Sequence, residues 1–142
     1  MNTPKWAKLA ALAVVGFPVM LGVHALPAVG QSSPPVAGIR LSGARIADRG
    51  AVVFSRVLIA CPAGDSTVVQ VQLTERSGGG IAQGFGLANP TCNGNIQTIT
   101  VPVPAANKPF VPGTAFGQAS IDVFDPSGGF NSNTDSRNVK LH

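Results

Sequence analysis

Residues Thr67–Arg76 read TVVQVQLTER, and this stretch indicates the fold class of the chain. Val69, Val71 and Leu73 alternate with glutamine and threonine. Strict alternation with a period of two places the three apolar side chains on one face of a β-strand and the polar ones on the other. The stretch is therefore predicted to form a strand with one buried face.

Six further segments on either side of this stretch show strand patterns separated by turn residues. They are Gly38–Ile46, Ala51–Cys61, Ile81–Ala88, Ile96–Val103, Ala115–Phe124 and Thr134–Leu141. Seven short strands in one small domain, with hairpins alternating with longer crossings, predict an all-β fold. We expect an immunoglobulin-like β-sandwich over residues 38–142, although the Cys–Trp–Cys pattern of antibody domains is absent.

Glycine and proline residues indicate which of these strands lie at the edge of a sheet and where the chain turns. Gly84 and Gly86 predict a bent edge strand, and Pro102 lacks a ladder donor, which also favours an edge. Asn93-Gly94 is typical of a type I′ hairpin turn. The proline-rich segment Pro104–Thr114 is the longest connection and is predicted to cross between two sheets.

Cys61 and Cys92 are the two cysteines of the chain. In an exported protein an even pair is most simply a disulfide, with two free thiols or half of a metal site as the alternatives. Neither alternative has a histidine partner nearby in the sequence. A bridge closing about 30 residues contributes roughly 3–4 kcal/mol in the chain-entropy model. We expect it to join the end of the second strand to a hairpin tip.

The first 30 residues have the organisation of a secretory signal peptide. Lys5 and Lys8 precede the uncharged run Leu9–Val23, and a zone of small residues follows it. This order of regions predicts a signal helix cleaved after Ala25 or Gly30. The alternative is an uncleaved anchor, but about 15 apolar residues are fewer than a membrane-spanning helix needs.

Removal of residues 1–30 changes the composition on which function is judged. Residues 31–37 are then predicted to form a flexible N-terminus. The remaining chain has eight basic and six acidic residues, which gives a net charge of +2 rather than +4. The arginines are scattered singly along the sequence, so we expect no nucleic-acid partner. We also expect no membrane contact after cleavage, and a secreted protein.

Residue types suited to catalysis are scarce beyond residue 30. His142 is the only histidine there and is the last residue, a poor position for a catalytic base. Asp122 and Asp125 are the one close pair of carboxylates, and they are better explained by a solvated face and a turn. The sequence therefore predicts no catalytic residue, no metal ligand and no cofactor, and the chain is not expected to be an enzyme.

Three phenylalanines are candidates for surface binding. Phe116 and Phe124 share the outward parity of their strand, and Phe54 opposes the inward set of its own strand. Outward aromatic side chains on a sheet form a possible binding platform. The alternatives are that a loop or strand covers them, or that the faces are reversed. Phe110 is expected to plug one end of the sandwich instead.

Five short motifs occur around the cysteines and turns: Ala60–Gly64 (ACPAG), Gly78–Ala82 (GGGIA), Thr91–Gly94 (TCNG), Gln97–Val101 (QTITV) and Gly113–Ala115 (GTA). They are similar to motifs of small exported actinobacterial proteins with an immunoglobulin-like domain. The resemblance covers most of the chain from Ala51 to His142 and rests on cysteine spacing and turn residues. It implies an immunoglobulin-like fold and export, and it carries over no catalytic residue.

These observations favour an exported, non-catalytic interaction or structural module with an extracellular or cell-wall partner. One alternative is a carrier of a small hydrophobic ligand, with Phe54, Phe116 or Phe124 lining a cleft. Another is a secreted protease inhibitor that presents Pro104–Thr114. In that case Lys108 is the obvious basic residue, although the Lys-Pro bond that follows it suits few proteases.

Overall fold

A computed structural model describes residues 36–142, apart from the side chain of Ser77. Within this range the chain forms seven β-strands and one 3-10 turn at Asp48–Gly50. The strands are β1 (Gly38–Ala47), β2 (Val52–Ala60), β3 (Ser66–Ser77), β4 (Gly80–Ala88), β5 (Ile96–Pro104), β6 (Gly113–Phe124) and β7 (Phe130–Leu141). The all-β class and the seven predicted strands are confirmed, and β7 starts at Phe130 rather than at Thr134.

The predicted signal peptide, residues 1–30, lies outside the described residues, as do residues 31–35 of the predicted flexible segment. Ala37, at the end of that segment, is 9% exposed. Its carbonyl oxygen accepts a hydrogen bond of 2.9 Å from the Asn133 side chain. The sandwich therefore begins to hold the chain at Ala37.

The strands are hydrogen-bonded in the order β4-β3-β6-β7-β1-β2-β5. All the pairings are antiparallel except β1 with β7, which is parallel and has Ala44 opposite Leu141. At this junction the Ile46 N–H donates to the His142 carbonyl at 2.8 Å. At this junction the hydrogen-bonded sheet passes from one layer to the other. Strands β4-β3-β6-β7 and β1-β2-β5 therefore pack as the two layers of an immunoglobulin-like sandwich.

The core consists of the inward residues of both layers. Val69, Val71 and Leu73 are 0% exposed, as the alternation in β3 predicts. Burial of each such side chain is worth about 1.5–3 kcal/mol. Phe110 is 2% exposed and closes one end of the core, which confirms its predicted position.

Strand β4 lies close against β5 because its inward positions are small. A Cβ atom built on Gly84 would stand 2.5 Å from the Pro104 carbonyl oxygen, and one on Gly86 would stand 2.2 Å from that of Pro102. Both strands are at the ends of the hydrogen-bonded order, so the edge positions predicted from glycine and Pro102 are confirmed. The two glycines let the backbones of opposite layers touch.

The hairpin predicted at Asn93-Gly94 is wrong. Strand β4 pairs with β3, and β5 pairs with β2, so the chain between Ala88 and Ile96 crosses from one layer to the other. The chain bends at Gly94, which has φ 82°, but Asn93 does not have the positive φ that a type I′ turn requires. Cys61 and Cys92 do form the predicted disulfide, which ties the end of β2 to this crossing segment rather than to a hairpin tip.

Candidate binding surfaces

The three phenylalanines predicted to lie on the surface point outward, but they lie on two different faces. Phe116 and Phe124 are 52% and 44% exposed on the outer side of β6. Phe54 is half-buried on the outer side of β2, in the other layer. The predicted orientations are confirmed. Their assignment to binding remains a prediction, and the three do not form one site.

Phe116 and Phe124 are also separated from each other along β6. They are eight residues apart, which is about 26 Å in an extended strand. Phe124 pairs across the β6–β7 hairpin with Phe130, and their ring centroids are 5.2 Å apart. Phe116 instead lies beside Thr74 of β3 and Asn138 of β7, in the end row of a broad polar surface.

The outer face of β4, β3, β6 and β7 carries a block of twelve outward side chains without a formal charge. We call this block the amide face. Row by row across the sheet its members are Gln83, Thr74, Phe116 and Asn138; Phe85, Gln72, Gln118 and Ser136; and Leu87, Gln70, Ser120 and Thr134. The charged neighbours Arg76, Asp122 and Lys140 lie outside these rows.

The amide face combines two kinds of contact. Its five carboxamides and four hydroxyls each offer both a donor and an acceptor. Phe85, Phe116 and Leu87 add apolar surface and are 52%, 52% and 48% exposed. Because the side chains stand on paired strands about 4.8 Å apart, donors, acceptors and rings are held in a fixed two-dimensional array.

Phe85 is a surface aromatic that the sequence reasoning did not select as a binding candidate. Ile81, Phe85 and Leu87 lie on one face of β4, and that face is the exposed one. The inward face consists of Ala82 and the two glycines that contact β5. Glycines at alternate positions of a strand were the available signal, because close backbone packing behind a strand leaves its large side chains outside.

The arginines that are scattered along the sequence are not scattered in the fold. Arg40, Arg45 and Arg56 all lie on the outer face of β1 and β2, where Arg45 is opposite Phe54 and Arg56 is opposite Gly43. We call these three residues the arginine face. Strand pairing therefore brings distant positions together on one face. The expectation that the chain has no nucleic-acid partner stays a prediction.

A shallow depression of about 380 Å³ lies on the arginine face. Its lining includes Arg45, Phe54, Arg56 and Thr100. The Arg45 guanidinium stands over the Phe54 ring at 5.3 Å from the centroid, a cation–π contact that fixes the direction of the side chain. Arg56 lies on β2, two residues after Phe54, and its side chain is on the same outer face.

Asp135 of β7 links the two layers at the point where β1 and β7 separate. It accepts hydrogen bonds from Arg137 Nε at 2.7 Å, Arg137 Nη2 at 2.8 Å and the Leu41 N–H at 2.8 Å. The bond from Arg137 is the largest cause that holds the pKa of Asp135 below its usual value, and burial acts in the opposite direction. The charged form is therefore the one that the folded protein stabilises.

We predict that Asp135→Asn lowers the free energy of unfolding at pH 7 by about 1–2 kcal/mol, because it weakens charge-assisted bonds to Arg137 and Leu41. A depressed pKa in the folded state gives stability that is present above the unfolded pKa and is lost as pH falls through the folded pKa. Urea unfolding from pH 7 to pH 2 should show the two proteins converging at the acid end. Asp122→Asn is the control, and an equal effect there would contradict the prediction.

Three further carboxylates lie at a loop anchor, in a turn and on the outer side of a strand. Glu75 is 2% exposed and its Oε2 accepts a bond of 3.0 Å from the Val111 N–H, which anchors the β5–β6 connection. Asp125 begins the β6–β7 turn, and the hydroxyl and N–H of Ser127 donate to it. The hydroxyl bond is the main cause of the lowered pKa of Asp125. Asp122 lies half-buried on the outer side of β6.

Residues 36–142 contain no group of three or more His, Cys, Asp or Glu side chains placed to hold a metal ion. No helix long and apolar enough to span a membrane occurs among the same residues.

No known protein-family model matches the chain, and no curated protein matches it significantly. The resemblance to exported actinobacterial proteins therefore stays a prediction.

Proposed function

We propose that the chain is an exported, non-catalytic binding module that holds an uncharged extracellular polysaccharide on the amide face. Export is supported by the order of charged, apolar and small residues in positions 1–30. It is also supported by the Cys61–Cys92 disulfide, because such bonds persist mainly in oxidising compartments.

The amide face is the observation that carries the proposal. A neutral sugar polymer presents hydroxyls that both donate and accept, together with apolar ring faces. Carboxamides such as Gln72 and Gln118 match the hydroxyls, and the exposed rings of Phe85 and Phe116 offer surfaces for the apolar ring faces. The absence of charge from all twelve positions avoids the cost of removing water from ions that such a ligand leaves unpaired.

The rigidity of the surface also suits a binding role. The ladders β4–β3, β3–β6 and β6–β7 are paired over nine or more residues each, so little backbone order has to be gained on binding. The side chains are already spaced by the sheet. Affinity then depends on the contacts themselves, and the exposed aromatic residues are expected to contribute most.

The protease-inhibitor alternative is less well supported, because the connection between β5 and β6 is tied to the body. The Asn107 side chain accepts from the Gln83 N–H and donates to the Ile81 carbonyl, both at 3.0 Å. The Phe110 N–H donates to the Gly50 carbonyl, and the Phe110 side chain is buried. A loop that enters a protease cleft has to stand clear of the domain, whereas this one folds back on it.

The carrier alternative requires Phe54, Phe116 or Phe124 to line an apolar cleft. Phe54 has the Arg45 guanidinium over its ring, and the other two are exposed on the opposite layer. The three rings therefore do not line a common cleft.

We predict that the mature protein binds to an insoluble neutral polysaccharide, and that Phe85→Ala with Phe116→Ala weakens the binding at least tenfold. Removing two stacked aromatic contacts at roughly 1 kcal/mol or more each gives an effect of this order. The measurement is depletion from solution by cellulose and by chitin, with protein recovered from culture medium. Mass spectrometry should find its N-terminus at Leu26 or Gln31, after one of the two predicted cleavage sites.

Phe54→Ala, which alters the opposite layer, is the matched control and should bind as the unaltered protein does. The double variant should unfold at nearly the same urea concentration as the unaltered protein, because both rings are about half exposed. Failure of the unaltered protein to bind either polysaccharide, or an equal loss from Phe54→Ala, would overturn the proposal.

A further inference from the structure

We propose that the arginine face is a second binding site, which takes the carboxylate groups of an acidic polysaccharide. The site is separate from the amide face, since it lies on the outer side of the other layer. Its charged groups are Arg40, Arg45 and Arg56. Arg45 and Arg56 line the depression described above together with Ser42 and Thr100, and Arg40 lies outside that lining.

A β-bulge is what brings Arg40 and Arg45 to the same face. Five positions separate them, and in a regular strand an odd separation places two side chains on opposite faces. The register of β1 shifts between Leu41 and Gly43, which leaves Ser42 as an extra residue. Bulges redirect the side chains that follow them, and this one turns Arg45 outward beside Arg56.

The Ser42 side chain stabilises this local arrangement. Its hydroxyl donates to the Arg56 carbonyl oxygen at 3.0 Å, across the bulge. Arg56 therefore has Arg40 and Arg45 as its two diagonal neighbours on β1, at Cα separations of about 7–8 Å. Three guanidinium groups are thus spaced along one surface by the backbone.

Within the described chain no side-chain carboxylate lines the depression, although His142, the last residue in the sequence, is part of its lining. None of the three arginines forms an ion pair within residues 36–142. Arg40 lies within electrostatic reach of Asp135 and contributes to the lowered pKa of that carboxyl, whereas Arg137 makes the direct ion pair. Arg45 and Arg56 consequently carry most of the unbalanced charge. Like charges held close together repel, and an anionic ligand removes that repulsion.

The chemistry of the face favours a carboxylate-bearing polysaccharide over a nucleic acid or a lipid surface. A guanidinium presents a planar fork that matches a carboxylate with two parallel hydrogen bonds. Sugar hydroxyls find partners in Ser42 and Thr100. The one aromatic ring in the depression, Phe54, already has Arg45 over it, so the face provides no open platform for a nucleic-acid base. A lipid surface would call for several protruding apolar anchors, whereas Leu58 between the arginines is half-buried and Ile96, 75% exposed, is a single such side chain at the start of β5.

The test is binding of the full mature chain to polygalacturonate, measured by calorimetry at a low salt concentration and at a tenfold higher one. We expect binding at the low concentration. The affinity should be roughly a hundredfold weaker at the higher one, because two to three charge contacts that salt screens carry the binding. Arg45→Gln with Arg56→Gln should weaken it at least tenfold at low salt. Arg76→Gln, on the outer side of β3, is the matched control and should change the affinity less than twofold.

Thermal unfolding shows whether these variants fold, and we expect the double arginine variant to be as stable as the unaltered protein. Phe85→Ala with Phe116→Ala should still bind polygalacturonate, so the two proposals fail independently. The inference is overturned if polygalacturonate is not bound, or if the double arginine variant and Arg76→Gln behave alike. It is also overturned if duplex DNA or vesicles of anionic phospholipid bind more tightly than polygalacturonate.

Discussion

Replacement of Gly86 by valine is expected to lower the free energy of unfolding by about 3 kcal/mol or more. The first added atom would lie 2.2 Å from the Pro102 carbonyl oxygen and 3.0 Å from Val101 Cγ1. The obstacle is backbone, so β4 and β5 have to separate, and overpacking of a well-filled core typically costs 1–3 kcal/mol and sometimes more. Because valine is branched, we expect a cost at the upper end of this range.

Urea unfolding of the two purified proteins measures the change in free energy. Thermal unfolding should show a melting temperature that is lower by roughly 12–25 °C. Gly43→Ala in β1 is the control, because a Cβ there has no heavy atom within 4 Å. It should leave stability within about 0.5 kcal/mol of the original value. Equal stability of Gly86→Val and Gly43→Ala would show that β4 and β5 are not in close contact.

The same close contact explains why the amide face was only partly foreseen. The period-two pattern in β3 predicted its inward residues correctly, because branched apolar residues alternate there with polar ones. In β6 the outward parity of Phe116 and Phe124 was predicted correctly. In β4 large apolar residues alternate with glycines, and such a pattern alone does not say which face is buried. Apolar residues are frequent on protein surfaces, so the position of Phe85 follows from Gly84 and Gly86 and not from hydrophobicity.

Features that depend on pairing between distant strands were not predictable from the sequence. The arginine face needs both the β1–β2 register and the bulge at Ser42, since Arg40 and Arg45 have opposite parity. Asn93-Gly94 predicts a type I′ hairpin from local chemistry, but the chain only bends there, and β4 and β5 pair with other strands. Turn residues determine local backbone geometry, whereas the packing of two layers determines whether the following strand returns or crosses.

The segment between β4 and β5 therefore has few ladder bonds to hold it, and the disulfide is its main attachment. Cys61 and Cys92 are 4% and 3% exposed and belong to the core. Around them, the Gly64 N–H donates to the Cys92 carbonyl at 3.3 Å, and Ser66 and Thr91 form an isolated bridge. These contacts surround the bond, so its loss affects both the crossing segment and the start of β3.

We predict that Cys61→Ser with Cys92→Ser lowers the free energy of unfolding by about 3–4 kcal/mol. The two residues are 31 positions apart, and a cross-link of that length removes this much freedom from the unfolded chain. Urea unfolding with and without dithiothreitol is the measurement. Reduction should bring the unaltered protein to the stability of the variant and leave the variant unchanged. A loss below about 1 kcal/mol would mean that packing around the crossing segment, and not the bond, holds β5 in register with β2.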